Sequence, residues 1–98
     1  MVLVAMAEIV RIRAIDDFSK TIDLDPSNAA AFIDRGYDYA AKQDWKRAID
    51  DYDKAIDLDP KSASAFYYRG KAKELMGDKA GSHADIDAAE KINSKIDK

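Results

Sequence analysis

The sequence predicts an all-α fold, an α-α superhelix of stacked helix–turn–helix repeats, about two and a half of them in 98 residues. Three observations carry this. Ala14-Ile15-Asp16-Asp17-Phe18, followed by Asp23-Leu24-Asp25-Pro26, returns as Ala48-Ile49-Asp50-Asp51-Tyr52 and Asp57-Leu58-Asp59-Pro60, a spacing of 34 residues. Apolar residues inside each unit recur at three- and four-residue intervals, the signature of one helical face. The two prolines, with Gly77 and Gly81, fall between or at the edges of these stretches. A two-helix unit cannot bury its apolar stripe alone, so copies must stack.

The chain divides into a partial repeat over 1–28, a full repeat over 29–62 and a divergent terminal repeat over 63–96. In the first, the place of the inter-helix turn is held by Ile9-Val10, residues that favour continuing a regular element. Either a truncated first helix packs through a strained turn, or residues 2 to 24 form one long helix; the reading favours the long helix. Its start, Val2-Leu3-Val4-Ala5-Met6-Ala7, is apolar but short, has no basic leader and runs into Glu8 and Arg11. It is a poor signal peptide and too short to span a membrane.

In the second repeat, Asn28 stands as N-cap to a helix from Ala29 to about Lys42, with Phe32, Gly36, Tyr39 and Ala40 near one face. Asp44 caps a second helix from Trp45 to about Leu58, carrying Ala48, Ile49, Tyr52, Ala55 and Ile56. The link Gln43-Asp44 is so short that the two helices must lie antiparallel. The third repeat copies this pattern. Ser62 is the cap, Ala65-Phe66 and Arg69-Gly70 follow, and Gly77-Asp78 takes the place of Gln43-Asp44. Its second helix runs from about Lys79 to Ile92 on Ile86, Ala89 and Ile92, after which the polar tail is expected to fray.

These residues resemble the tetratricopeptide repeat. Phe32, Gly36, Tyr39, Ala48, Tyr52, Ala55 and Pro60 stand in the large, small and closing places of its 34-residue unit. Arg35 departs from the usual leucine as a common variant. Lys73, Ser82 and Ser94 also depart, which puts the stability of the last helix in question. The resemblance implies that successive first helices line a concave groove for a peptide or protein partner. The groove positions it points to are Ala30, Ile33, Asp34, Tyr37 and Ala41 in the second repeat. In the third they are Ser64, Tyr67, Tyr68, Lys71, Glu74 and Leu75. Lysine- and asparagine-based capture of a peptide's terminal carboxylate is not implied, because Ile33, Tyr37 and Tyr68 occupy places that would need polar or basic groups.

Chemistry is harder to find. The lone His83 makes neither a metal site nor a catalytic triad, so no metal and no cofactor is expected. The aspartate runs Asp16-Asp17, Asp50-Asp51-Asp53 and Asp57-Asp59 lack the loop glycine and ligand spacing of a calcium loop and read as a solvated helix face. No phosphate-binding glycine loop or nucleophile elbow occurs, and an enzyme is not expected. Sixteen basic against 19 acidic residues leave a net charge of −3, which argues against nucleic acid or an anionic membrane as partner. The absence of cysteine fits a reducing compartment, and a cytoplasmic location is the expectation. Two function classes follow. The first is a non-catalytic module binding a peptide or protein in its groove. The second is a self-assembly unit whose homodimer forms through Val2, Leu3, Val4, Met6, Ile9 and Val10.

Overall fold

A computed structural model describes the backbone of residues 2–96 and the side chains of residues 5–94; the side chains of Val2, Leu3 and Val4 lie outside the described residues. Among these residues five helices follow one another: α1 Val2–Leu24, α2 Ala29–Ala41, α3 Trp45–Leu58, α4 Ala63–Leu75 and α5 Lys79–Ile96. Each packs on the next in the order of the chain, α4 also touching α2.

The turns explain the register. Asp25-Pro26 and Asp59-Pro60 end α1 and α3, since a residue before proline is pushed out of helical geometry. In both turns the aspartate carboxylate accepts a backbone N–H two residues on, from Ser27 and from Lys61, each at 3.2 Å. Asn28, Asp44 and Ser62 then cap α2, α3 and α4 by accepting from Ala31, Arg47 and Ala65. Asp78 does the same for Gly81 at the start of α5. Inside each hairpin the turn needs one residue at positive φ. Gly77 supplies it at 93° and Gln43 at 65°.

The core forms two clusters joined through Ile33. Ile22, Phe32, Ala31, Ala55 and Ala65 knit α1 to α4. Ala48, Tyr52 and Ala72 knit α3 to α4, with Tyr68 and Trp45 packed against them. Tyr52 fills the gap left by Gly36, whose Cα has no room for a side chain: a Cβ there would sit 2.7 Å from the Tyr52 ring. Small residues thus let the helices approach while one aromatic ring fills the space between them.

Asp51, expected on a solvated face, is instead 5% exposed, and Asp85, its counterpart one repeat later, is 4% exposed. Arg35 donates from Nε and Nη2 to the two oxygens of Asp51 at 2.9 and 2.7 Å, and from Nη1 to Ser19 Oγ at 3.1 Å. Arg69 holds Asp85 at the same two distances, and its Nη1 reaches Asp53 at 2.8 Å. These forks account for burial that a lone carboxylate could not sustain.

Of the three departures in the last repeat, Lys73 is paired, its Nζ 3.0 Å from Asp85. Ser82 is buried where Gly70 comes close. With Ser94 in place of a proline no ring interrupts the helical hydrogen bonds, and α5 continues to Ile96, past Ile92.

Candidate functional site

The two first helices, α2 and α4, lie side by side and present aromatic side chains to one cleft of about 330 Å3. Tyr37 and Ala41 come from α2, Tyr67, Tyr68, Lys71 and Leu75 from α4. Their spacing explains why. Positions 37 and 41 are one turn apart on α2, as 67, 71 and 75 are on α4, so each set forms a single stripe.

The tyrosines are held by one another. Tyr68 stacks on the buried Tyr52 with centroids 6.1 Å apart, and Tyr37 and Tyr67 meet it edge-on at 5.6 and 5.7 Å. Tyr68 is therefore half-buried and acts as the floor. Tyr37 and Tyr67 remain 56% and 45% exposed, and Leu75 is exposed with them. Burial pushes the Tyr52 phenol well above its ordinary range, with the neighbouring Tyr68 adding to it. Lys71 stands at the rim and pairs with Glu74 at 3.3 Å across an exposed turn.

Not every groove position shares this cleft. Ser64 faces a neighbouring groove with Tyr67 and Tyr68, and Glu74 a third beside His83. Ala30 and Asp34 are exposed outside the cleft, and Ile33 is spent on the core, packed against both clusters. Four cleft residues were not among the groove positions read from the sequence: the core residues Tyr52 and Ala72 at its floor, and two more. Trp45 and Ala40 line it as well, Trp45 because it begins α3 immediately after the hairpin turn. An aromatic residue directly behind an N-cap aspartate was the available signal.

Burial pushes the Asp38 carboxyl above its ordinary value, nearby Asp34 adds to this, and Arg11 opposes both. Among the described residues no group of three or more His, Asp or Glu side chains is placed to hold a metal ion, and no helix is long and apolar enough to cross a membrane.

A model of the TPR repeat family matches residues 36–77. No curated protein sequence matches. Among solved structures, the second TPR of Spaghetti (RPAP3), bound to the HSP90 peptide SRMEEVD, is 28% identical with a TM-score of 0.81, covering 84% of this chain and 76% of that one. The crystal structure of MamA is 26% identical with a TM-score of 0.83 over 87% of this chain; the chain spans 50% of the length of that structure. The yeast Sti1 TPR2B domain, in complex with pHsp70, shares the fold with a TM-score of 0.87 at 22% identity, over 94% of this chain and 74% of that one. Residues 36–77 therefore belong to the tetratricopeptide repeat family, and the helices on either side continue the same all-α architecture.

Proposed function

We propose that the chain is a non-catalytic interaction module that holds a peptide or a partner protein's helix in the cleft between α2 and α4. The observation that carries this is the exposure of Tyr37, Tyr67 and Leu75 around an apolar floor, with a charged rim at Lys71 and Glu74. Rigid aromatic rings beside an apolar pocket are the usual anchors of a protein interface. That one structure of similar fold contains a bound peptide and another is a complex with pHsp70 supports the reading. The floor here favours an apolar side chain over a terminal carboxylate, because Tyr52, Tyr68 and Ala72 form it and no cationic group lies among them. The absence of cysteine suits work in a reducing compartment such as the cytoplasm.

Selection of a random peptide library on the immobilised full chain tests this. Recovered peptides should share a large apolar residue and lose binding to a Tyr37→Ala/Tyr67→Ala double variant. Equal capture by that variant would end the proposal.

A second reading is favoured by α1. Arg35 of α2 reaches Ser19, and Asp38 feels the charge of Arg11, so α2 covers α1 only back to about Arg11. At roughly 1.5 Å per residue, the 23 residues of α1 outrun the 13 of α2 by well over two turns. On this overhang Met6, Ile9 and Val10 are exposed, Val10 at 66%. Such a surface suits self-association, as a homodimer or a larger assembly, and Val10→Asp should disperse it in sedimentation experiments.

A further inference from the structure

The stack presents an open groove of about 380 Å3 at its α5 end, between Ala63, Ser64 and Tyr67 of α4 and Ile86, Ala89 and Asn93 of α5. The chain itself records what such a groove receives. One repeat earlier, Ala63, Tyr67 and Ala89 correspond to Ala29, Ile33 and Ala55, which belong to the cluster that α4 closes with Ala65. Each docking helix brings the same three features: a buried alanine followed by a phenylalanine, then an arginine three places on, then a small residue. In α2 these are Ala31-Phe32, Arg35 and Gly36; in α4 they are Ala65-Phe66, Arg69 and Gly70.

Each of these arginines also reaches back to the preceding hairpin's second helix, Arg35 to Ser19 and Arg69 to Asp53. The third member of that series, 34 residues beyond Asp53, is Asp87 on α5. It is exposed and paired at 3.0 Å with Lys91, one turn along the same helix. An exposed pair of this kind exchanges readily for a better-placed partner. Glu90, which stands where the earlier repeat has Ile56, lines the same groove and makes it acidic.

The first part of α1 carries the docking pattern, with its apolar residues on the overhang and its arginine one turn further along the helix. Ile9 and Val10 are adjacent and exposed, Arg13 follows at the spacing of Arg69 behind Ala65-Phe66, and Ala14 holds the small-residue place. Met6, Ile9, Val10 and Arg13 share one helical face. Arg13 is itself exposed.

We propose that the α1 overhang of one copy seats in the α4–α5 groove of a second copy, with Ile9 and Val10 against Ile86 and Ala89 and Arg13 reaching Asp87. This rests on the self-assembly reading above and names the surface that receives α1. Donor and acceptor surfaces differ, so the contact is head-to-tail, and it propagates into chains or closes into rings instead of stopping at a two-fold dimer.

Sedimentation velocity on the full chain across the micromolar range tests the proposal. The wild type should form concentration-dependent species larger than a dimer. Arg13→Glu alone and Asp87→Arg alone should each be monomeric, and mixing the two should restore association, because charge is again complementary in the mixed contact. The milder Asp87→Asn should weaken association about tenfold. Both positions are exposed, and circular dichroism on each variant separates loss of assembly from loss of fold. If Val10→Asp disperses the assembly while both charge variants still assemble, α1 self-associates elsewhere and the groove assignment is wrong. A wild type that stays monomeric throughout defeats both readings.

Discussion

Arg35 and Asp51 face each other across α2 and α3 in a two-bond fork of 2.9 and 2.7 Å, and Arg69 and Asp85 repeat that fork 34 residues later with the same distances. Hydrogen bonding to the carboxylate raises each guanidinium above its ordinary pKa despite the opposing effect of burial. The fork thus locks the two helices of a hairpin at one register.

Removing one partner strands the other. Asp51→Ala should destabilise the fold by about 3 to 5 kcal/mol, because a buried guanidinium loses its counter-charge. Arg35→Leu combined with Asp51→Leu should recover most of that loss, since apolar residues of similar volume remove both desolvation penalties. Urea denaturation of the two variants beside the wild type measures the difference. Equal loss in both would show that shape, not charge, sets the contribution.

Acid should loosen the second fork in a defined window. Burial pushes the Asp85 carboxyl up, but hydrogen bonds and charge from Arg69 and Lys73 pull it further down, so its folded pKa lies below its ordinary value. Its stabilisation is complete above the unfolded carboxylate range, near pH 4, and is lost as pH falls through the lower folded value. Asp38 runs the other way. Its raised folded pKa means that ionisation works against the fold as pH rises through it. Asp38→Asn should therefore stabilise the protein at neutral pH, with the gain vanishing in acid. Thermal melts from pH 2 to 7, with and without Asp38→Asn and Asp85→Asn, resolve the two contributions.

The hairpin turns differ in strain. Gln43 adopts φ 65°, a region that costs a residue with a Cβ about 1 to 2 kcal/mol, while Gly77 takes φ 93° freely. Gln43→Gly should raise stability by up to about 1 kcal/mol, and Gly77→Ala should lower it although no atom lies within 4 Å of the added Cβ. Differential scanning calorimetry of the two variants checks opposite signs.

Core and cleft tyrosines should separate cleanly. Tyr52 is 1% exposed, and truncating it to alanine should cost about 3 to 5 kcal/mol, a large share of the roughly 5 to 15 kcal/mol typical of a domain. Tyr37→Ala, at an exposed position, should change stability by less than about 1 kcal/mol while reducing partner capture. Chemical denaturation of both, paired with the peptide selection described above, distinguishes a structural ring from a binding one.

Much of this arrangement is readable from residue spacing. Asn28, Asp44 and Ser62 announce the helix starts because a side-chain acceptor before an apolar stripe has one common use. Tyr52 declares itself as core by standing where Phe18 stands one repeat earlier. The forks were hidden because Asp51 sits between Asp50 and Asp53, and a run of carboxylates on a helix ordinarily faces water. Only one of them turns inward. The clue was the pairing itself: Arg35 precedes Asp51 by 16 residues and Arg69 precedes Asp85 by the same interval. Asp17, the first copy, remains exposed, so composition alone could not have singled out the buried two. The cleft was only partly legible for a related reason. Which tyrosine becomes floor and which becomes wall depends on Tyr52 beneath them, and that contact crosses from α3 to α4.

One guanidinium belongs to two hairpins at once. Arg69 grips Asp85 within its own unit while its third contact, at 2.8 Å, fastens to Asp53 in the unit before. Melting the α4–α5 pair therefore also unclasps a carboxylate on α3, and neighbouring modules cannot lose their structure one at a time without penalty. The stack should behave as a zipper whose teeth share rivets: sharp to open, with few half-open forms along the way.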